Sequence, residues 1–240
     1  MKPIDFNCDL GEGEASALTE ALCRHVTSIN VACGGHAGDL ASMRHCIGLA
    51  ARFQLRLGAH PGLPGHFGRG PVTRSPSELA TLIFDQVTGL RERMNESVAS
   101  GAVRVPLRHV KLHGSLYPHA EDHPEAAEAF AAVLASRFPG VAAVGMPGRA
   151  VESACRQRVP FLAEGFLDRA YRADGSLVPR SEPGAVIHSP ALVLQRLREW
   201  IRTGEIVAIT GEPLRLPVQT WCLHSDTPGI LEIAQCLSDL

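Results

Sequence analysis

The amino-acid sequence predicts an α/β fold in which about seven parallel strands close into one barrel. Short apolar segments alternate with helical segments along the whole chain, which indicates parallel strands joined by helical crossovers. Polar residues, often histidine beside glycine or proline, follow nearly every strand. A doubly wound open sheet would gather such residues at one switch point, so we expect a seven-stranded parallel (β/α) barrel.

The composition is that of a globular protein with a substantial core, because 45% of the 240 residues are hydrophobic and 20% are charged. No linker-like change in composition interrupts the chain, so we expect residues 1–240 to form a single barrel-like catalytic domain. The net charge of −2 and the absence of basic runs argue against nucleic acid and anionic membrane surfaces as partners.

The sequence also predicts a cytoplasmic protein. No apolar stretch approaches the roughly 20 residues that span a bilayer, and the segment MKPIDFNCD lacks the apolar part of a signal peptide. The seven cysteines are odd in number and include no CxxC pair, so neither a disulfide framework nor a zinc ribbon is indicated. Cys8, Cys33 and Cys222 lie in apolar strands and are expected to be small buried side chains rather than nucleophiles.

Seven apolar segments have the length of buried strands and lead into polar residues. In chain order, the predicted strands are residues 4–9, 29–33, 56–59, 107–112, 141–144, 161–164 and 220–223. A small hairpin is predicted separately at residues 206–216. Long polar connections follow the third and sixth strands, at residues 60–74 and 165–188, and connections of that length usually carry function.

Helical segments lie between the strands and are recognised by apolar residues at helical spacing and by their end signals. Asp39 is placed to cap one helix. Ser75, Pro76 and Glu78 predict a capping box with proline in the first turn of the longest helix, and Gly204 is expected to end another. In chain order, the predicted helices are residues 18–25, 40–54, 75–99, 124–137, 149–156, 189–202 and 228–237.

Two carboxylates, Asp9 and Glu12, follow the first strand. Such a pair could hold a divalent cation, or it could act as base and acid, since neighbouring carboxylates push their pKa values apart. Helix capping and solvated loop charge are the structural alternatives. The position of Asp9 between Cys8 and Leu10 favours a functional role.

Four histidines, His36, His60, His113 and His224, each lie just after a strand. The carboxyl ends of parallel strands meet at one face of a barrel, so we expect these histidines to share one active site. His36 has no second histidine four residues later, so the two-histidine helical zinc motif is absent. Ligands from different strands could still hold a metal, and the candidates for this are Asp9, His60 and His113.

Lys111 lies inside an apolar strand, and Lys2 is the other lysine of the chain. Lys111 could orient an anionic substrate or a phosphoryl group as a point charge, with a strand lysine that extends to the surface as the structural alternative. Arg169 could grip a substrate carboxylate in bidentate fashion, with an ion pair to Asp168 as the structural alternative. The candidate catalytic residues are Asp9, Glu12, His36, His60, Lys111, His113, Glu164 and His224. The candidate substrate-binding residues are Asp39, Asp168, Arg169 and Asp226.

Common nucleotide and hydrolase signatures are missing from the sequence. There is no GxxxxGK[ST] loop, and the glycines at residues 34–35 and 62–70 lack the dinucleotide-binding spacing. There is no GxSxG elbow, and Ser115 alone is too weak a signal for a serine hydrolase.

Six segments, which follow one another in unbroken order over nearly the whole chain, resemble the LamB/YcsF family, whose members form one of the components of 5-oxoprolinase. They are NCDLGEG at residues 7–13, VTSINVACGGHAGD at 26–39, GAHPGLPGHFGR at 58–69, HVKLHGSLY at 109–117, AEGFLDRAYRADGSLVPRSEPGAVI at 163–187 and CLHSDTP at 222–228.

The resemblance implies a barrel similar to the glycoside hydrolase/deacetylase superfamily. It also implies ATP-dependent opening of 5-oxo-L-proline to L-glutamate, with ATP and Mg²⁺ as cofactors and two partner subunits. In that interpretation Lys111 and the strand-end histidines stabilise negative charge, and Asp9 or Glu164 is the general base. Two alternatives are a metal-dependent carbohydrate deacetylase that acts without ATP and a substrate-binding subunit that is inactive without its partners.

Overall fold

The computed structural model describes residues 4–225 and 227–238, and its centre is a closed barrel of seven parallel strands. The barrel strands are β1 Asp5–Leu10, β2 Ser28–Ala32, β3 Arg56–His60, β4 Leu107–Lys111, β5 Ala142–Gly145, β6 Phe161–Phe166 and β9 Thr220–His224. Neighbouring strands pair in chain order, and β9 closes the barrel by pairing with both β6 and β1. The prediction of a seven-stranded parallel barrel is confirmed.

Helices surround the barrel and connect its strands. They are α1 Ser16–Cys23, α2 Leu40–Phe53, α3 Pro76–Ala99, α4 Leu116–Asp122, α5 Pro124–Arg137, α6 Ala150–Cys155, α7 Pro190–Thr203 and α8 Ile230–Ser238. The predicted small hairpin is present as the antiparallel pair β7 Glu205–Val207 and β8 Pro213–Arg215, outside the barrel. Among the described residues, no helix has the length and apolar character needed to cross a bilayer.

Local sequence signals explain where several helices begin and end. The Ser75 hydroxyl accepts the Glu78 amide, and the Glu78 carboxylate accepts the Ser75 amide, so the predicted capping box of α3 is confirmed. Gly204 ends α7 with a φ of 76°, in the left-handed region that glycine adopts without a steric penalty.

The structure corrects several predicted boundaries. The structure contains helix α4 between β4 and α5, which the sequence did not predict. A helix of 7 residues has too few turns to show a clear apolar period. Strand β6 continues two residues beyond the predicted end at Glu164, through Gly165 and Phe166. The last helix begins at Ile230 rather than at residue 228.

One face of strand β1 places polar side chains in the interior of the barrel. Asp5, Asn7 and Asp9 alternate with Phe6 and Cys8, so they share one face of the strand. Every residue of β1 is buried. A row of buried polar groups inside the barrel must find hydrogen-bond partners there, and this requirement links the strands through their side chains.

Candidate active site

A cavity of about 580 Å³ opens at the carboxyl ends of the barrel strands. Its wall includes strand-end residues and part of the connection that follows β6. The predicted site residues in this wall are Asp9, Glu12, His60, Lys111, His113, Arg169 and His224.

Lys111 lies at the bottom of the cavity and is buried. Its ammonium nitrogen is 3.0 Å from Asp9 Oδ1, 3.0 Å from Glu164 Oε1 and 3.0 Å from Cys222 Sγ. Burial, the largest single influence, would lower the pKa of Lys111, but the charges of Asp9 and Glu164 and the contact with Cys222 together raise the pKa well above its usual value. Lys111 is therefore a fixed positive charge between two carboxylates.

Asp9 is ionised because its surroundings favour the charged form. Burial alone would raise its pKa, but the positive charges of His60 and Lys111 hold the pKa well below the usual range. The Asn30 amide also donates to Asp9 Oδ1 over 2.7 Å. The Asp9 carboxylate is therefore held by Asn30, His60 and Lys111, which belong to strands β2, β3 and β4.

Polar side chains in the barrel interior hydrogen-bond to these charged groups and to one another. Asn7 donates to Glu164 Oε1 over 3.0 Å, and Asn30 donates to Asn7 Oδ1 over 2.7 Å. The chain of contacts ends at His109, whose Nε2 lies 2.6 Å from Asn30 Oδ1. Burial lowers the pKa of His109 to about 4, so this histidine is neutral at physiological pH.

A second cluster brings Glu12 together with three of the predicted histidines. Glu12 Oε1 is 2.9 Å from His36 Nε2, 2.9 Å from His113 Nδ1 and 3.5 Å from His60 Nε2. The rings of His36 and His113 stack with centroids 3.5 Å apart. Burial opposes ionisation of Glu12, but its contacts with His113 and His36 lower its pKa, so the carboxylate is charged.

Backbone carbonyls fix the orientation of two of these histidines. His60 Nδ1 donates to the Lys111 carbonyl over 2.8 Å, and His113 Nε2 donates to the Phe67 carbonyl over 2.9 Å. A carbonyl oxygen only accepts, so each of these ring nitrogens carries a hydrogen. The remaining ring nitrogens, His60 Nε2 and His113 Nδ1, lie 3.0 Å apart, so a hydrogen on either one would bridge the two rings.

Local backbone geometry positions the cluster. The Glu14 carboxylate accepts the amides of Gly11 and Glu12 over 2.7 and 2.8 Å, which holds the loop that carries Glu12. A Cβ atom at Gly62 would lie 2.4 Å from His36 Nδ1, so the backbone approaches the imidazole more closely than any side chain allows. Phe67 adopts a φ of 49°, and in this left-handed conformation its carbonyl accepts from His113.

Asp168 contacts His224, which is the strand-end histidine of β9. The Asp168 Oδ2 atom is 2.7 Å from His224 Nδ1 and accepts the Thr227 hydroxyl over 2.8 Å. Burial, the largest single influence, would raise the pKa of Asp168, but the charge of His224 and the hydrogen bonds from His224 and Thr227 together lower the pKa to about 2. Asp168 therefore orients the imidazole and leaves His224 Nε2 facing the cavity.

The remaining predicted substrate-binding residues occupy different places. The Arg169 guanidinium lines the cavity and donates to the carbonyls of Val178 and Ala185 over 2.7 and 3.4 Å, within the connection after β6. Asp39 is exposed and caps α2, with its Oδ1 accepting the Ser42 amide over 2.8 Å. Asp226 lies outside the described residues.

Two groups of side chains could hold a divalent metal among the described residues. The first comprises Glu12, His36, His60 and His113, and the second comprises Asp9, Cys222 and His224. In each group the ligand atoms all lie within 4.8 Å of one another. The first group contains His60 and His113 from the predicted metal set, whereas Asp9 belongs to the second.

Several residues that shape the site carry no strand-end signal in the sequence. Asn7, Asn30 and His109 lie within strands, whereas the predicted site residues were chosen for their position after strands. The alternation of polar and apolar residues in DFNCDL is the signal that indicates a polar barrel interior. Glu14 and Cys222 were also missed, since neither one stands out from ordinary loop charge or from buried cysteine.

Comparison with known proteins agrees with this geometry. Residues 4–239 match the family model described as the LamB/YcsF family. A protein from Chloroflexus aggregans that is named as the A subunit of 5-oxoprolinase is 38% identical over 243 residues, which cover 99% of this chain and 94% of that protein.

Solved structures show the same relationship. The lactam utilization protein from Thermus thermophilus superposes with a TM-score of 0.87 at 31% identity, covering 98% of this chain and 94% of that chain. A GH20 catalytic module of the pneumococcal exo-β-D-N-acetylglucosaminidase StrH is similar in fold alone, with a TM-score of 0.51 at 11% identity over 99% of this chain and 84% of that one. The family match over residues 4–239, supported by these relatives, shows that the chain belongs to the LamB/YcsF family.

Proposed function

We propose that this chain is the lactam-handling subunit of an ATP-dependent 5-oxoprolinase, which opens 5-oxo-L-proline to L-glutamate. The relatives named for 5-oxoprolinase support this proposal, because the chain aligns over nearly their full length. The word subunit in their names supports a complex, and we propose two partner subunits. The barrel would be the single catalytic domain contributed by this chain.

The observation that carries the proposal is the Lys111 ammonium held between Asp9 and Glu164 at the bottom of the cavity. Lactam opening through a phosphorylated carbonyl oxygen places the negative charge of the phosphoryl group beside the ring carbon that water attacks. A fixed positive charge in a buried site stabilises that charge without reorganisation. The ionised Asp9 would accept a proton from the attacking water.

ATP would act by activating the lactam. Transfer of the γ-phosphoryl group to the carbonyl oxygen makes the ring carbon a better electrophile. Attack by water and cleavage of the C–N bond then give an acyl phosphate, and a second water releases phosphate and glutamate. The sequence has no phosphate-binding loop of the GxxxxGK[ST] type, which supports phosphoryl transfer by the partner subunits, with Mg²⁺, rather than by this chain.

Recognition of the substrate carboxylate would fall to Arg169. Its guanidinium lines the cavity, and two loop carbonyls fix its orientation. A guanidinium held in this way keeps further N–H groups for a carboxylate. His224, oriented by Asp168, would donate a proton to the nitrogen that leaves when the ring opens.

The cysteines support a cytoplasmic location for the complex. All seven cysteines are unpaired, and six of them are buried. Unpaired thiols are typical of reducing compartments, where disulfides do not persist.

A metal-dependent deacetylase is a second candidate function. The cluster of Glu12 with His36, His60 and His113 favours it, because such ligands could hold an ion that activates water. This candidate predicts release of acetate from an acetylated sugar in the absence of ATP.

The decisive experiment measures glutamate release from 5-oxoproline, with and without ATP and with and without the two candidate partner subunits. Release that requires both ATP and the partners is the expected result. Asp9→Asn should lower the turnover of the complex about 10²- to 10⁴-fold, since it removes the proposed base. Asp85→Asn, an exposed position on α3, is the matched control and should keep normal turnover.

Two results would contradict the proposal. One is a correctly assembled complex that binds ATP and releases no glutamate. The other is an Asp9→Asn complex with the turnover of the unchanged chain. Acetate release without ATP, in the absence of any glutamate formation, would establish the second candidate instead.

A further inference from the structure

We propose that Glu12, His36, His60 and His113 bind one divalent metal ion of the zinc class. The positions of these ligands favour the ion whatever the reaction is, whereas its role in lactam opening rests on the function proposed above. The four residues come from the loop after β1, the loop after β2, the end of β3 and the loop after β4. The fold therefore gathers four ligands that are far apart in sequence.

The spacing of the four ligand atoms fits a tetrahedral ion. Zinc binds imidazole nitrogen and carboxylate oxygen at about 2.0–2.2 Å, so two ligands of one tetrahedral ion lie about 3.3–3.5 Å apart. Glu12 Oε1 is 2.9 Å from both His36 Nε2 and His113 Nδ1 and 3.5 Å from His60 Nε2. These separations are close to the tetrahedral values, and the stacked rings of His36 and His113 would tilt apart so that both lone pairs point at the ion.

The proton positions also favour a cation at this point. His60 and His113 each donate the hydrogen of one ring nitrogen to a backbone carbonyl. When both rings are neutral, their other nitrogens and the Glu12 carboxylate turn three lone pairs toward one another, and these repel unless a proton or a metal ion lies between them. Metal-bound histidines commonly donate their second nitrogen to a carbonyl in this way, which fixes the tautomer that binds the ion.

The second group of ligands, Asp9, Cys222 and His224, is excluded by Lys111. The ammonium nitrogen lies 3.0 Å from Asp9 Oδ1 and 3.0 Å from Cys222 Sγ. The protein thus supplies its own cation at that position, and a metal ion there would face a buried positive charge. The groups that surround Glu12 Oε1 at 2.9 to 3.5 Å are imidazoles, which bind a metal ion in their neutral form.

The proposed ion would lie beside the reaction site. Glu12, His60 and His113 line the cavity, and the side chain of His36 is buried behind them. His60 Nε2 is also 3.4 Å from Asp9 Oδ2, so Asp9 separates the proposed ion from the Lys111 ammonium. When bound, such an ion would act as a Lewis acid toward the lactam oxygen or toward water.

The first test measures metal binding by the whole chain, expressed without a histidine tag and freed of metal with a chelator. Titration with Co²⁺ should reach one ion per chain and give the visible absorption of tetrahedral cobalt, and Zn²⁺ should displace it. His36→Ala and Glu12→Gln should each weaken Co²⁺ binding at least about 10-fold, as expected when a ligand is lost.

Three further variants test the site, and His224→Ala distinguishes it from the second group of ligands. Gly62→Ala places a methyl group against His36 and should weaken Co²⁺ binding although it removes no ligand. Gly89→Ala, on α3 with open space around its Cα, is the matched control and should bind normally. His224→Ala should also keep one ion per chain. Circular dichroism would establish that each variant is folded.

The possible results distinguish failure of the metal site from failure of the proposed function. Failure of the folded chain to bind Co²⁺ or Zn²⁺ would overturn the metal site and would show that shared protons hold the histidines together. Loss of binding in His224→Ala but not in His36→Ala would also overturn it. A chain that binds one ion but forms no glutamate with ATP and partners would keep the metal site and lose the proposed function. Full glutamate release by chelated chains would remove the ion from the reaction.

Discussion

Three histidines that face the cavity each have one ring nitrogen held by an acceptor. Backbone carbonyls hold His60 and His113, and the Asp168 carboxylate holds His224. The acceptor decides which ring nitrogen carries the hydrogen, and it therefore decides what the other nitrogen offers to the cavity. The acceptor at His224 is a side-chain carboxylate, and we assign His224 as the proton donor to the leaving nitrogen.

Replacement of Asp168 by asparagine tests this role. Asp168→Asn keeps the size of the side chain but removes the carboxylate oxygen that lies 2.7 Å from His224 Nδ1 and orients the ring. We expect turnover by the complex to fall about 10²-fold or more, because general acid catalysis contributes at least this much. The KM for 5-oxoproline should change little, since Asp168 orients His224 and does not hold the substrate.

A conservative variant separates this role from simple loss of structure. Asp168→Glu keeps a carboxylate beside His224 and should recover part of the turnover that Asp168→Asn loses. Asp122→Asn, which changes an exposed carboxylate at the cavity rim, is the control and should keep normal turnover. Normal turnover in Asp168→Asn would contradict the assignment of His224 as the acid.

At the residue scale, the sequence identifies site residues at the ends of strands but does not identify polar side chains inside the barrel. Asp9, His60 and Lys111 lie at strand ends in the cavity wall, where the barrel topology places them. The same reasoning cannot find Asn30 or His109, since a polar residue inside a strand can face either side of the sheet. Only closure of the barrel shows that these two side chains meet.

At the scale of helices and strands, Glu121 connects three elements. It lies on α4, and its carboxylate accepts the amide of Met146 after β5 over 2.7 Å and the amide of Val151 in α6 over 3.3 Å. Burial raises the pKa of Glu121 to about 7 in spite of these hydrogen bonds. The junction is therefore most stable when the carboxyl group is protonated.

This pKa predicts how stability depends on pH. The folded chain holds the Glu121 proton up to about pH 7, whereas an unfolded glutamate releases it near pH 4.5. The folded state therefore binds more protons in this window, and the contribution of Glu121 to stability falls as the pH rises from about 4.5 to 7. The loss is roughly 3 kcal/mol at most, since a change of one in pKa corresponds to about 1.4 kcal/mol.

Urea unfolding at pH 5 and pH 7 measures this effect. Glu121→Gln keeps a neutral group at the junction, so its stability should fall less than that of the unchanged chain between the two pH values. Glu125→Gln, at an exposed position in the first turn of α5, is the control and should retain the original pH dependence. Equal pH dependence in all three proteins would rule out burial of a protonated Glu121.

Prediction at this scale succeeded where helices carry clear end signals. The capping box of α3 and the glycine at the end of α7 are local features, and both are confirmed. Helix α4 lacks such signals, because the side chain of Ser115 makes no capping hydrogen bond. Its position follows from tertiary contacts such as the Glu121 junction, which the sequence alone does not reveal.

At the scale of the whole molecule, closure of the barrel determines both the core and the site. The alternation of strand and helix, together with polar residues after successive strands, was sufficient to predict a closed barrel. The conformation of the connection after β6 was not predictable in this way. It depends on contacts such as the bridge between Arg169 and Val186, which are remote from any local pattern.

Cysteine accessibility reports on the integrity of this closed structure. Six cysteines are buried and Cys236 is partly exposed. A thiol reagent added to the native chain should therefore modify one cysteine quickly, and the other six should react only as the barrel opens. Cys236→Ser should abolish the fast phase and leave the slow reaction unchanged. Fast modification of several cysteines would contradict a single closed core.

The burial of Lys111 has a practical consequence for chemical labelling. The chain contains only one other lysine, Lys2, so amine-directed reagents meet very few targets on this protein. Acylation requires a neutral amine, and the raised pKa of Lys111 keeps this side chain as a buried ammonium. The native chain should therefore leave Lys111 unmodified, and an adduct on its peptide in mass spectrometry would report that the ammonium has left its two carboxylates.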